Sequence, residues 1–427
     1  MRAVETIKNI WKIEDLRNRI LTTLLLVAIY RFGTYVVLPG IDPKALTALQ
    51  EQTRGGLLAL LDMFSGGAFS NASIFALGIM PYISASIVMQ LMAIAVPSFQ
   101  KLQREGESGR RKINQWTRYL TVAILLFQGP TYLVNLSVQL KAAGAALPAG
   151  IWFTISSTVI LAAGSMFILW LGERITDKGV GNGISIVLAV NIISRIPSDM
   201  TTLYENFIKG KTIAKGMLAG VIIFAIIMVV VVFVLILNGA ERRIPVQYSK
   251  KMVGRKMMGG QATNIPLKVN TAGVIPIIFA SSIMSFPGVI AQFAGKTNGT
   301  GIGSEILRGL SSSNWCNPSQ IKYTWGLLVY VVLCVFFAYF YTSITFNPLE
   351  VADNIKKQGG FIPGIRPGKP TSDYLTKMLN YIIFIGAVGL IIVAVIPFFF
   401  NGVFGAHVSF GGTSIIIVVG VVLETLK

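Results

Sequence analysis

Charged side chains are scarce in this chain. Asp, Glu, Lys and Arg supply 13% of its 427 residues, against roughly a quarter in soluble proteins. Apolar residues supply 53% and gather in long runs, which excludes a soluble multidomain protein and gives a polytopic α-helical membrane protein. The two cysteines lie apart, Cys316 in a loop and Cys334 in an apolar run, so neither a disulfide framework nor a paired-cysteine metal site is expected. A single histidine, His407, read as an interfacial loop residue, excludes a histidine-rich metal site and a histidine relay. No cofactor and no metal are expected. Nor is a cleavable leader, because residues 1–19 are largely polar and basic and the apolar run Ile20–Leu38 carries no small-residue cleavage pattern.

Within the apolar runs charge is rarer still. Ten candidate spans follow from long, nearly uncharged stretches: 20–38, 71–96, 116–136, 151–172, 182–196, 216–238, 271–292, 323–345, 374–399 and 408–425. Spans two and four to eight hold no ionisable residue in their interiors; Arg118, Arg195, Lys377 and Glu424 sit near span ends. Arg31 lies inside the first span, close enough to its outer end to snorkel. Ion- and proton-coupled carriers place ionisable groups at mid-membrane, so a secondary transporter is the weaker alternative. The carbonyl-rich filter of a potassium channel is missing. So are the aspartate pair and the histidine base that intramembrane proteases would need. The chain does not read as an enzyme.

Two glycine-rich strings imitate nucleotide sites. Gly179-Val180-Gly181-Asn182-Gly183 has the wrong spacing for a dinucleotide fingerprint, and Gly368-Lys369 runs into Pro370. Asn298-Gly299-Thr300 fits a glycosylation acceptor only in a eukaryotic lumen.

What is present is basic. An even number of spans puts both termini on one side, and that side collects 26 of the 37 basic residues against 10 on the other. The asymmetry assigns the termini to the cytoplasm. Two cytoplasmic loops exceed what a connection needs, Gly239–Asn270 and 346–373. The first suggests a hairpin with basic tips. Both read either as docking surfaces or as solvated basic loops that only set topology. The excess positive charge suits anionic lipid, ribosomal RNA or an acidic protein face.

The stretch Gly55–Pro97 opens with a short apolar piece between glycine pairs, Gly55-Gly56 and Gly66-Gly67, followed by an uncharged run. A piece that short reads as re-entrant, or as an amphipathic surface helix, ahead of a true span. Five spans precede the polar segment Pro197–Lys215 and five follow it. An odd number inverts the second half (216–427) relative to the first (1–196), with 197–215 as an extracytoplasmic hinge. Ile79 and Ile83, like Leu188 and Ile192, share a helical face; by themselves such pairs are core or lipid-facing residues.

Several strings resemble the SecY family of protein-conducting channels. They are Gly172-Glu173-Arg174-Ile175-Thr176-Asp177-Lys178-Gly179-Val180-Gly181-Asn182-Gly183-Ile184-Ser185, Phe75 to Ser86, Glu105 to Lys112, Arg242 to Tyr248, Asn270 to Ser282, Pro363 to Gly368 and Gly411 to Ser414. The resemblance runs through nearly the whole chain in order. The chain ends at Lys427, almost at the close of span ten, where many members continue as a cytoplasmic tail.

The resemblance implies an all-α fold of two inverted five-helix halves around an hourglass pore. Its constriction would be Ile79, Ile83, Leu188, Ile192, Ile278 and Ile417, with Leu188 in place of the usual isoleucine. A re-entrant plug at about Leu57 to Gly67 would include Leu57, Leu60, Leu61, Met63 and Phe64. Spans two and seven would form a lateral gate, bent at Pro81 and Pro276 and seamed by Ser86, Gln90, Ser282 and Phe286. Arg243, Arg255, Lys256 and Arg366 would dock the SecA motor ATPase or the ribosome. The further partners implied are the small subunits SecE and SecG, signal sequences and nascent polypeptides. The membrane implied is the bacterial inner membrane.

Overall fold

The computed structural model describes residues 11–42, 62, 64–104, 107–142, 148, 150–208, 213–248, 251–253, 256–258, 262–293, 302–311, 314–404 and 412–425. The first half contributes α1 (Glu14–Gly33), α2 (Met80–Ala95), the short α3 (Pro97–Arg104), α4 (Glu107–Ala142), α5 (Ile151–Lys178) and α6 (Gly183–Phe207). The second contributes α7 (Ile213–Gly239), α8 (Ile275–Phe293), the short α9 (Ile302–Leu310), α10 (Trp325–Thr345), α11 (Pro348–Lys357), α12 (Lys369–Phe404) and α13 (Gly412–Thr425). A helix thus falls on each expected span. Among the described residues, six helices are long and apolar enough to cross a membrane, while the apolar stretches in α2 and α13 are shorter. The protein is an all-α, multi-pass membrane protein.

Three boundaries differ from the expectation. Helix α2 starts only at Met80, where an unbroken span from residue 71 was expected. The preceding residues form turns, with Gly66, Gly67, Ala72 and Gly78 at positive φ. Their backbone pairs with the chain leaving α1: Leu38 N–H donates to Ala72 O (2.9 Å) and Ile74 N–H to Val36 O (3.0 Å). Helix α6 runs through Pro197 to Phe207. A proline removes one ladder bond without ending a helix that its neighbours hold. Finally, Pro81 and Pro276 are each the second residue of a helix. In the first turn an N–H has no intrahelical acceptor, so these prolines start α2 and α8 rather than bend them.

The α5–α6 connection shows why its glycines are needed. Asn182 caps α6, its Oδ1 accepting from Ile184 N–H (3.1 Å) and Ser185 N–H (3.4 Å). Gly181 takes a left-handed φ of 69°. A Cβ on Gly183 would lie 1.9 Å from Gly172 O, so the two helices cross there in backbone contact. The string that looks like a phosphate loop is a tight helical corner.

The first long loop is a hairpin, as expected: β1 (Glu241–Tyr248) pairs antiparallel with β4 (Ala262–Lys268), and β2 (Lys251–Val253) with β3 (Lys256–Met258). A third strand comes from the other loop. Strand β5 (Gly360–Phe361) pairs with β1 at Gln247 and Tyr248, giving the order β4-β1-β5. The inward residues Ile244 and Val246 pack with Leu267, Ala352, Ile355, Ile362 and Leu375. The two loops are therefore one body with its own apolar core.

Each half also has its own core. In the first, one cluster joins Tyr30, Ile79, Ile168 and Val187, and another joins Leu38, Phe69, Leu136 and Leu161. In the second, Val234, Ile277, Tyr330, Val393 and Ile416 belong to one cluster. Helix packing follows the same division: α4 with α5 and α5 with α6 on one side, α8 with α10 and α10 with α12 on the other. The halves meet where α6 packs on α13 and α7.

Candidate functional site

One buried cluster among the described residues draws from both halves. Its members are Phe64, Ile192 of α6 and Ile417 of α13, with Met80, Leu188, Val274, Val418 and Val421 packed against it. Ile79, with Ile83 and Leu188 against it, lies in the neighbouring first-half cluster. Leu188 touches both. Of the six expected constriction residues, Leu188, Ile192 and Ile417 lie in the cluster between the halves, an apolar patch, and Ile79 and Ile83 lie in the first-half cluster that Leu188 also touches. The sixth, Ile278, is half-buried and falls in neither cluster, though Val274, one turn earlier, does reach the patch.

Of the residues expected to form a plug, Phe64 lies in this patch. Leu57, Leu60, Leu61 and Met63 lie outside the described residues. From Asp62 to Ser70 the segment is held by polar groups of three helices. Asn191 Nδ2 of α6 donates to Phe64 O (2.7 Å), and Arg31 Nη1 of α1 donates to Gly66 O (3.0 Å). Tyr132 O–H of α4 donates to Phe69 O (2.8 Å). Asp62 forms a salt bridge with Arg195 of α6, the two side chains being 4% and 17% exposed. The other Asp62 oxygen accepts from Ser70 N–H (2.9 Å), and Ser65 Oγ donates to Asp62 O (3.1 Å). Gly66 is required at the centre. Its φ is 66°, and a Cβ there would lie 2.6 Å from Asn191 Oδ1 and 2.7 Å from Arg31 Nη1.

One expectation is corrected here. Arg31 was expected to snorkel to the interface, and Arg195, near a span end, had no partner assigned. Instead both turn inward, because a buried carbonyl and a buried carboxylate offer them charge-assisted partners. Asp62, Asn191 and Arg195, which hold this segment in place, are residues the sequence reading passed over. A signal was available. Leu188, Asn191, Ile192 and Arg195 recur on one face of α6, and Asp62 is the only acidic residue between Glu51 and Glu105.

The remaining candidates lie apart from this patch. Gln90 Nε2 on α2 donates weakly to Ser86 Oγ (3.5 Å), within a single helix. Ser282 and Phe286 lie along α8. Helix α2 packs on α3 and α4, and α8 on α10; α2 and α8 are not among the closely packed pairs of described elements. Arg243 is exposed on β1 and paired with Glu241 (2.6 Å), and Arg366 is exposed in the turn before α12. Lys256 begins β3, while Arg255 lies outside the described residues. No group of three or more His, Cys, Asp or Glu able to hold a metal occurs among the described residues. Burial pushes the Cys316 thiol above its ordinary range, away from thiolate reactivity.

Known proteins share this architecture. The SecY family profile matches residues 73–426. The protein translocase subunit SecY of Streptomyces scabiei is 44% identical over 427 residues, covering 98% of this chain and 94% of its own. Two solved structures share the fold at low identity. One is a SecY protein whose plug domain is described as stabilising the closed channel and maintaining a membrane seal (TM-score 0.60, 18% identity, 96% of this chain and 92% of that one). The other is the yeast Ssh1 complex on the 80S ribosome (TM-score 0.63, 16% identity, 96% and 89%). With its signature strings, its fold and a relative this similar along its full length, the chain belongs to the SecY family.

Proposed function

We propose that this chain is the central channel subunit of a protein translocase. It conducts unfolded secretory polypeptides across a membrane and releases apolar segments sideways into lipid. The observation that carries the reading is the apolar patch of Phe64, Leu188, Ile192 and Ile417, which joins two otherwise separate helical cores. A greasy narrowing excludes water and ions by dewetting, yet offers no strong site to a passing chain. Segments then partition by their own hydrophobicity, at roughly −0.3 to −0.6 kcal/mol per Leu, Ile, Phe or Val.

Ile79, Ile83, Leu188, Ile192, Ile278 and Ile417 form the waist, and the segment around Phe64 is the plug. The seam between α2 and α8, at Pro81, Ser86, Gln90, Ser282 and Phe286, is the lateral exit. Residues 1–196 and 216–427 act as two halves hinged at 197–215. The joined loops carrying Arg243, Arg255, Lys256 and Arg366 receive the driving partner, the SecA motor or the ribosome. SecE and SecG are the small subunits, and anionic lipid faces the basic side. The chain sits in a bacterial inner membrane with both termini in the cytoplasm, and it is passive.

Removing residues 57–67 tests the plug. Resting ion conductance of the reconstituted complex should rise; unchanged conductance would remove the segment from the seal.

A further inference from the structure

Resting on the plug reading, we infer that the Asp62–Arg195 salt bridge is the catch that holds the plug shut and sets how good a signal sequence must be to open the channel. A plug sealed by grease alone would need only Phe64 against Ile192 and Ile417. This one also carries a buried ion pair to the helix that supplies the waist. Arg195 lies one turn beyond Asn191 and Ile192 on α6. The same face therefore presents a waist residue, an amide gripping Phe64 O and a guanidinium gripping Asp62.

That arrangement ties plug position to α6. Asp62 is committed at both oxygens, one to Arg195 and one to Ser70 N–H, and its own carbonyl accepts from Ser65 Oγ and from Gly67 N–H (3.0 Å). It is the knot of the 62–70 turn. A shift of α6 that parts the waist pulls Arg195 and Asn191 away together, so waist and plug release in one step.

The test uses the full complex reconstituted in a planar bilayer in KCl, beside export in cells of one precursor with an intact signal and one with a weakened signal. Arg195→Gln should raise resting conductance at least about tenfold, the change that roughly 1.4 kcal/mol of lost latch produces. It should also improve export of the weakened precursor. The charge swap Asp62→Arg with Arg195→Asp should move both values back toward the parent. If Arg195→Gln blocks export of the intact precursor, Asp62→Asn decides instead, since it keeps the size of the side chain and an acceptor for Ser70 N–H; raised conductance supports the catch and parent-like conductance overturns it. Parent-like conductance in Arg195→Gln, while deletion of 57–67 leaks, overturns the catch and leaves the plug standing. If that deletion does not leak either, plug and catch both fall.

Discussion

At the scale of single residues, the seal depends on shape and on the absence of anything polar at the waist. Ile192 and Ile417 are 2% and 5% exposed. An amide placed there without a partner costs about 1–3 kcal/mol, and it gives water a foothold in the narrowing. Ile192→Asn should therefore raise resting ion flux and let weak-signal precursors through; bilayer conductance and export assays read both. Gly66 makes a second case. Its left-handed backbone and the closeness of Asn191 and Arg31 leave no room for a methyl group, and overpacking costs about 1–3 kcal/mol. In Gly66→Ala, a cysteine at the buried Ser70 position should react faster with a water-soluble maleimide than in the parent. Equal rates would mean that the glycine is not needed to seat the plug. Little of this was legible in the chain. Waist positions came from resemblance, because aliphatic pairs at helical spacing occur in every core. The Asp62–Arg195 pair joins residues far apart in sequence, so the polar face of α6 and the lone acidic residue, though visible in the chain, do not by themselves say that the two meet.

Among the elements, two corners decide the architecture. The α5–α6 corner brings Gly183 against Gly172 O, so Gly183→Ala must push α6 away from α5. We expect a lower unfolding temperature in detergent and a leakier waist, as α6 carries Leu188 and Ile192. The other corner is the joined pair of loops. The hairpin of Gly239–Asn270 was legible from its length and its mix of apolar and polar residues around Pro245. Strand β5 was not, since two residues carry no period and its partner β1 lies in another loop. Joining the loops places Arg243 and Arg366 on one body with a shared core of Ile244, Val246 and Ile362. Arg366→Glu should lower stimulated ATP hydrolysis by the motor while leaving the folded channel intact by circular dichroism. Normal stimulation would take Arg366 out of the docking surface. Three of the four glycines of this loop, Gly359, Gly364 and Gly368, are at positive φ.

For the whole molecule, span number and the basic asymmetry were readable because bilayer thickness and charge bias act on every helix alike. The start of α2 was misread. The uncharged run through Asn71–Ile79 looks like membrane helix in composition, but Ala72 and Gly78 at positive φ and pairing with Val36–Leu38 hold it in turns. What only the fold brings out is that the two helical cores are bridged by an apolar patch with Phe64 lodged in it. The account stands on that bridge parting for a polypeptide. The most direct measurement places a photoreactive residue at Ile83, Ile192 or Ile278 and stalls a secretory chain in the complex. We predict crosslinks from these positions to the stalled chain, and none from lipid-facing positions such as Phe224 on α7. Crosslinks that avoid all three waist positions while export proceeds would contradict the account.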